Sequence, residues 1–222
     1  MRTMDREMSP AQRLARLDTC AVSDAMDKLG LSGIVIGIQR LTTTRRISGR
    51  VHTVRMDKDD GSPSTRHLGT SAIAASQPGE VIVMEQRTGI DAACWGGNLS
   101  FGAKLRGVAG VIVDGPVRDV DEARDYDFPV FARSATARTA RGRIREGATD
   151  VAITVGDVTV HPGDFVVADG SAVVFIPQTD IVRVLDAAEA IAARERAMVA
   201  ALKDGTPITE VMGQNYETML KK

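Results

Sequence analysis

The sequence predicts an α/β domain of the layered β/β/α kind, and three observations lead there. Through the middle of the chain, short apolar runs alternate with helical segments, the pattern of parallel strands joined by crossover helices. From Val151 onward the runs crowd together, separated by Gly156-Asp157, Pro162-Gly163-Asp164 and Asp169-Gly170, the punctuation of antiparallel hairpins. A long Ala-rich amphipathic segment then follows. A parallel βα block that carries an antiparallel meander gives a mixed sheet, not a pure dinucleotide-binding one.

Residues 10–30 read as N-terminal helices. Leu14, Leu17, Ala21 and Val22 repeat at helical spacing, Ser23-Asp24 can cap Ala25–Leu29, and Gly30 closes the segment. The βα core, 47–135, starts with a strand at Ile47–Met56 and an exposed charged loop at Asp57–Pro63. That loop has three aspartates but not the spacing or terminal Glu of a calcium loop. A helix at His67–Ser76, a turn at Pro78-Gly79 and a strand at Val81–Met84 follow. Then come a helix at Leu99–Arg106, a strand at Val108–Val113, a short helix at Val120–Asp125 and a strand at Val130–Phe131. The meander, 150–177, comprises Val151–Val155, Val158–His161, Phe165–Ala168 and Val173–Ile176. C-terminal helices occupy 181–220: Ile181–Leu202, with Ile181, Leu185, Ala188, Ile191 and Ala192 on one face, and Ile208–Leu220. All of 1–222 is expected to form one domain.

Composition excludes several function classes. With 222 residues, 43% of them hydrophobic, the chain can bury a substantial core. A net charge of −1 recommends neither nucleic acid nor an anionic membrane as partner. Five Phe, two Tyr and one Trp leave an aliphatic core and no base-stacking surface. No apolar stretch is long enough to span a bilayer, and no apolar leader follows Met1–Met8, so a cytoplasmic setting is expected. Cys20 and Cys94 are too few for a disulfide scaffold and form no Cys-x-x-Cys pair; both are expected to be buried thiols. His52, His67 and His161 lack the spacing of a helical zinc site. Neither a nucleophile elbow nor a glycine-rich dinucleotide loop is present, which also removes a methyltransferase reading.

Three candidate sites remain. The apolar run Gly110–Val113 ends at Asp114-Gly115-Pro116, a strand end followed by a turn, and then delivers Arg118 beside Asp119. In open α/β sheets, ligands gather beyond such strand ends. Arginine offers a fixed planar fork for a carboxylate or enolate, and a carboxylate with waters suits Mg²⁺. The competing structural reading makes Asp119 the cap of Val120–Asp125 and Asp114 a turn residue. The second candidate is Gly96-Gly97-Asn98-Leu99, two glycines before a helix whose first amides can hold a carboxylate; the alternative is an ordinary loop. The third, Arg133, Arg138, Arg141, Arg143 and Arg145, reads foremost as a solvated or inter-subunit face, with phosphate or protein contact as the other reading.

Trp95–Leu99, Lys104–Gly110 and Asp114–Asp119 together resemble the family shared by regulator of ribonuclease activity A and the class II pyruvate aldolases acting on 4-hydroxy-4-methyl-2-oxoglutarate or 4-carboxy-4-hydroxy-2-oxoadipate. The likeness extends over Cys20–Ala25, Pro78–Val81, Phe128–Ala132, Val160–Asp164 and Tyr216–Leu220. It implies a swivelling-type domain that assembles as homotrimers or homohexamers with sites at subunit boundaries. It implies that the amides of Gly96, Gly97, Asn98 and Leu99 hold a pyruvate carboxylate, that Arg118 binds substrate oxygens as the catalytic cation, and that Asp119 ligates Mg²⁺ or Mn²⁺. The implied reaction is retro-aldol cleavage of a 4-hydroxy-2-oxo acid, with oxaloacetate decarboxylation beside it; the family's other branch implies a non-catalytic, protein-binding regulator of ribonuclease activity. The aldolases commonly carry an acid where this chain has Gly97, a departure from the pattern. They take another from a neighbouring subunit's late helix, for which Glu189 and Glu195 are the candidates.

Overall fold

The computed structural model describes residues 8–63 and 66–213. In chain order these form α1 (Pro10–Leu14), α2 (Thr19–Lys28), β1 (Ile34–Val35), β2 (Gln39–Arg40), β3 (Ile47–Lys58), α3 (Thr70–Ala75) and β4 (Val81–Glu85). They continue with α4 (Gly97–Arg106), β5 (Gly110–Val117), α5 (Val120–Asp125), β6 (Val130–Ala135), β7 (Ile144–Thr149), β8 (Ile153–Val155) and β9 (Val158–Val160). Last are β10 (Phe165–Ala168), β11 (Val173–Ile176), α6 (Ile181–Lys203) and α7 (Ile208–Val211).

Nine strands form one curled mixed sheet in the order β1-β11-β10-β3-β4-β5-β6-β2, with β7 on β3. The block β3-β4-β5-β6 is parallel, whereas β10, β11, β1, β2 and β7 join antiparallel. The long strand β3 is the hinge of the architecture. Ile47–Arg50 pairs with β10, Val51–Arg55 with β4, and Val54–Lys58 with β7.

The parallel strands are covered on both faces, which is why they read as unbroken apolar runs. Alternation splits β4: Ile82 and Met84 pack under α3 and α4 with Ala72, Leu99 and Ala103. Val81 and Val83 face the other way, onto Ile153, Val155 and Val160 of the β8–β9 hairpin. A third cluster packs α2 and α6 on β10 and β11 through Val22, Met26, Leu185, Ala188, Val167 and Val174. These layers are the β/β/α arrangement that the strand spacing implies.

Several local expectations need correction. The N-terminal helical stretch is two helices: Ser9 caps α1 and Asp18 caps α2, so Ser23 and Asp24 lie mid-helix and cap nothing. The meander divides, β8–β9 forming its own two-stranded sheet while β10–β11 joins the main one. Strands β1, β2 and β7 were not expected; β7 emerges within the Arg133–Arg145 region, where Arg138 pairs with Asp91 at 3.3 Å and Arg145 with Asp60. Arg138, Arg141 and Arg143 are exposed. Cys20 is exposed, whereas burial pushes the Cys94 thiol up to about 12. Finally, β5 does not stop at Asp114: it runs on to Val117 through a bulge, Val113 pairing with Ala132 and Pro116 with Ser134. The expected helix at Ile208–Leu220 covers Ile208–Val211, and residues 214–222 lie outside the described residues. Among the described residues no helix is long and apolar enough to cross a membrane.

Candidate active site

The end of β5 sets where the candidate residues point. Strand alternation puts Asp114, only 6% exposed, on the face of Ile112, toward the β8–β9 hairpin. The Asp114 carboxylate accepts Arg133 Nε at 2.7 Å and the Gly156 amide at 2.8 Å, tying β6 to the β8–β9 turn. That buried ion pair accounts for Asp114 without a ligand. Beyond the bulge, the Arg118 amide donates to the Trp95 carbonyl at 2.9 Å, which lays the end of β5 along the loop that enters α4.

Asp119 then takes a left-handed conformation, φ 56° and ψ 41°, at the N-cap of α5. A capping aspartate would bond an amide of its own first turn. Asp119 makes no such bond. Its Oδ2 instead accepts the Gly97 amide at 3.0 Å, and its Oδ1 accepts Arg118 Nε at 3.1 Å. The guanidinium and the acid thus face the paired glycines across a cleft of about 280 Å³ whose lining includes His67, Gly97, Asn98, Arg118, Asp119 and Arg141.

At both positions of the pair other groups already occupy the space that a side chain would take. A Cβ on Gly96 would lie 2.7 Å from Asp119 Oδ2 and 3.1 Å from Arg118 Cγ. A Cβ on Gly97 would lie 1.9 Å from Glu122 Oε2. The carboxylate of Glu122, one turn along α5 from Asp119, therefore occupies the place that a side chain on residue 97 would take. Sequence reasoning did not single out Glu122. The available signal was its position three residues after Asp119, which puts both acids on one side of a helical turn.

The amides divide in a simple way. Helix α4 begins at Gly97, and its first internal bond runs from the Ser100 amide to the Gly96 carbonyl at 3.0 Å. The Gly97 amide is engaged by Asp119, so Asn98 and Leu99 contribute the N–H groups left without an intrahelical acceptor. These donors at a helix N-terminus, beside the Arg118 guanidinium, form a recess for a carboxylate. Asp119, with Glu122 against the same glycine, offers carboxylate oxygens, the hard donor type that could hold Mg²⁺ or Mn²⁺. Each Asp119 oxygen accepts one hydrogen bond, so lone pairs remain for a cation. Among the described residues no group of three or more His, Cys, Asp or Glu gathers as a metal cage.

The two late-helix candidates differ in availability. Glu189 is held by Arg13, accepting Nε at 2.7 Å and Nη2 at 2.8 Å, in a bond that fastens α1 to α6. Glu195 lines a groove beside Leu17, Asp18 and Val199. Burial, then the charges of Asp18 and Asp24, raise its carboxyl above the ordinary value. Neither lies in the cleft of its own chain.

A family model described as RraA-like, Aldolase/RraA, matches residues 19–175. Protein DlpA of Legionella pneumophila is 26% identical over 199 residues, covering 90% of this chain but 32% of its own length, so the chain spans about a third of that relative. A Thermus thermophilus protein named 4-hydroxy-4-methyl-2-oxoglutarate aldolase is 32% identical over 133 residues, covering 60% of this chain and 77% of that protein. The crystal structure of an uncharacterised protein from Pseudomonas syringae superposes with a TM-score of 0.82 at 28% identity, covering 92% of this chain and 96% of that one.

Proposed function

We propose, from the premise that this chain belongs to the Aldolase/RraA family, that it is a divalent-metal-dependent carbon–carbon lyase releasing pyruvate from a 4-hydroxy-2-oxo acid. One observation carries the reading. A single cleft brings together the open amides of α4, the Arg118 guanidinium and the carboxylate of Asp119, with Glu122 against the same glycine. Relatives named as aldolases support the lyase class.

Asp119 would hold the metal ion, Mg²⁺ or Mn²⁺, with Glu122 beside it acting through a water. When bound, such an ion supplies Lewis acidity that polarises a 2-oxo group. The amides of Asn98 and Leu99 would fix the substrate carboxylate. Arg118 would face the 2-oxo oxygen as negative charge grows there, a preorganised stabiliser. Cleavage breaks the bond between C3 and C4. The electron pair passes to C3 as the pyruvate enolate, the C4 hydroxyl gives up its proton and becomes a carbonyl, and C3 takes a proton to complete pyruvate. Glu122 would receive the hydroxyl proton through a water. Oxaloacetate would lose carbon dioxide through the same enolate. In an assembled trimer or hexamer, Glu195 of a neighbouring copy is the better late-helix acid, because Glu189 is engaged by Arg13.

A lactate dehydrogenase-coupled assay over a panel of 4-hydroxy-2-oxo acids and oxaloacetate, with and without chelator, tests this. Pyruvate release that stops on chelation supports it. No release from any substrate, together with recovery of a ribonuclease on the immobilised protein, selects the regulator reading instead.

A further inference from the structure

Beside the cleft lies a buried polar chain with no part in the chemistry described so far. Ser100, in the first turn of α4, is fully buried. Its hydroxyl donates to the Gly96 carbonyl at 3.1 Å and accepts the Trp95 indole N–H at 2.9 Å. A hydroxyl has one proton, so acceptance from the indole and donation to the carbonyl fix its direction. Trp95 is itself buried, stacked on Phe128 with ring centroids 6.2 Å apart.

The consequence follows from peptide geometry. In a planar trans peptide the C=O and the next N–H point to opposite sides. Holding the Gly96 carbonyl toward Ser100 therefore aims the Gly97 N–H away from it, and that N–H meets Asp119 Oδ2 at 3.0 Å. Glycine on both sides of this peptide unit leaves little steric resistance to its rotation. Two bonds from Ser100 hold the orientation: its backbone amide reaches the Gly96 carbonyl at 3.0 Å as the first bond of α4, and its hydroxyl adds a second, side-chain bond to the same oxygen at 3.1 Å.

We propose that Ser100 is a positioning residue: it locks the peptide plane between Gly96 and Gly97 and, through the Gly97 amide, sets the direction of the Asp119 carboxylate. This rests on the reading of Asp119 as a metal ligand. Outer partners that orient a ligating group typically govern about 10- to 100-fold of metal affinity.

The test titrates Mn²⁺ alone into purified protein by calorimetry. Ser100→Ala is expected to weaken Mn²⁺ binding by about tenfold or more, and Ser100→Thr, which keeps the hydroxyl, to restore it. Ser100→Cys fills the space with a weak donor and carries the test if the alanine variant does not fold. Thr53→Ala, which removes another buried hydroxyl, one bonded to the Val151 carbonyl at 2.6 Å, is the control for a general loss of stability and should leave Mn²⁺ affinity unchanged. Trp95 is the one tryptophan in the chain, so its emission should shift in Ser100→Ala and not in Thr53→Ala. Equal Mn²⁺ affinity in wild type and both the alanine and cysteine variants overturns this proposal alone. A wild type with no affinity for Mn²⁺ overturns the metal-dependent lyase reading together with it.

Discussion

Gly97→Ala separates a structural glycine from a functional one, because stability and activity should move in opposite directions. The new methyl group would lie 1.9 Å from Glu122 Oε2, which must leave, and 3.4 Å from Asp119 Cβ, an ordinary contact. Glu122 is exposed, so its carboxylate can swing into solvent at little cost. Gly97 does not have positive φ, so the backbone accepts alanine there. Replacing glycine at a compatible position stabilises by about 0.4–1 kcal/mol, chiefly by restricting the unfolded chain. For a domain of this size that raises Tm by about 1–4 °C. Turnover should fall by about 100-fold, the low end of what a positioned acid or base contributes. Thermal denaturation and the coupled pyruvate assay read the two effects separately. The double variant Gly97→Asp/Glu122→Ala returns an acid to the vacated place and should recover part of the lost rate. Unchanged turnover in Gly97→Ala would remove Glu122 from the chemistry. A Tm lowered by several degrees would show that more than a movable carboxylate fills the space.

Arg118→Ala should fold normally and lose about 100- to 1,000-fold in turnover, the usual effect of deleting one well-placed charge stabiliser; near-wild-type rates would exclude it. Mg²⁺ at about 100 times its dissociation constant should stabilise the wild type by about 2.7 kcal/mol, a shift that Asp119→Asn abolishes in a melting experiment with and without chelator. Retention of that shift in the variant would argue against ligation by Asp119. Glu195 provides the pH test. Burial, then Asp18 and Asp24, raise its carboxyl, so the folded state holds more protons than the unfolded one. Its stability contribution is whole below the ordinary value of 4.5 and is lost as pH rises through the raised value. Glu195→Gln should therefore melt above wild type at neutral pH, the two converging in acid. A gap that does not change with pH would assign the effect to packing.

Apolar runs bounded by Gly and Pro made β4, β10 and β11 legible, because strands buried on both faces or in tight hairpins leave that pattern. The short strands β1 and β2 have only two residues each, too few for any periodicity. Strand β7 reads Ile-Arg-Glu-Gly-Ala-Thr and pairs with β3 only because the tertiary fold brings that edge to it. Asp114-Gly115-Pro116 has the composition of a turn, and the bulge absorbs it within β5. At the site, the adjacency of Arg118 and Asp119 and the glycine pair were visible in one dimension. Glu122 was not, since a missing acid at residue 97 directs attention to that residue's own side chain, while the space is filled from another helix.

Asp119 breaks local rules in a way that discriminates between its two readings. A non-glycine residue held in the left-handed region costs about 1–3 kcal/mol, and declining to cap α5 forgoes about 1 kcal/mol more. A residue selected by the fold for helix capping would avoid both losses by turning its carboxylate back onto the first turn of α5. Instead its carboxylate reaches across to Gly97 and Arg118, and Glu122 comes in beside the same glycine. A carboxylate aimed at a glycine amide and a guanidinium, with a second acid against the same glycine, is an arrangement that a capped helix end would not need. Backbone strain is therefore held at the cleft mouth, where the binding of a cation and an anionic substrate would offset it.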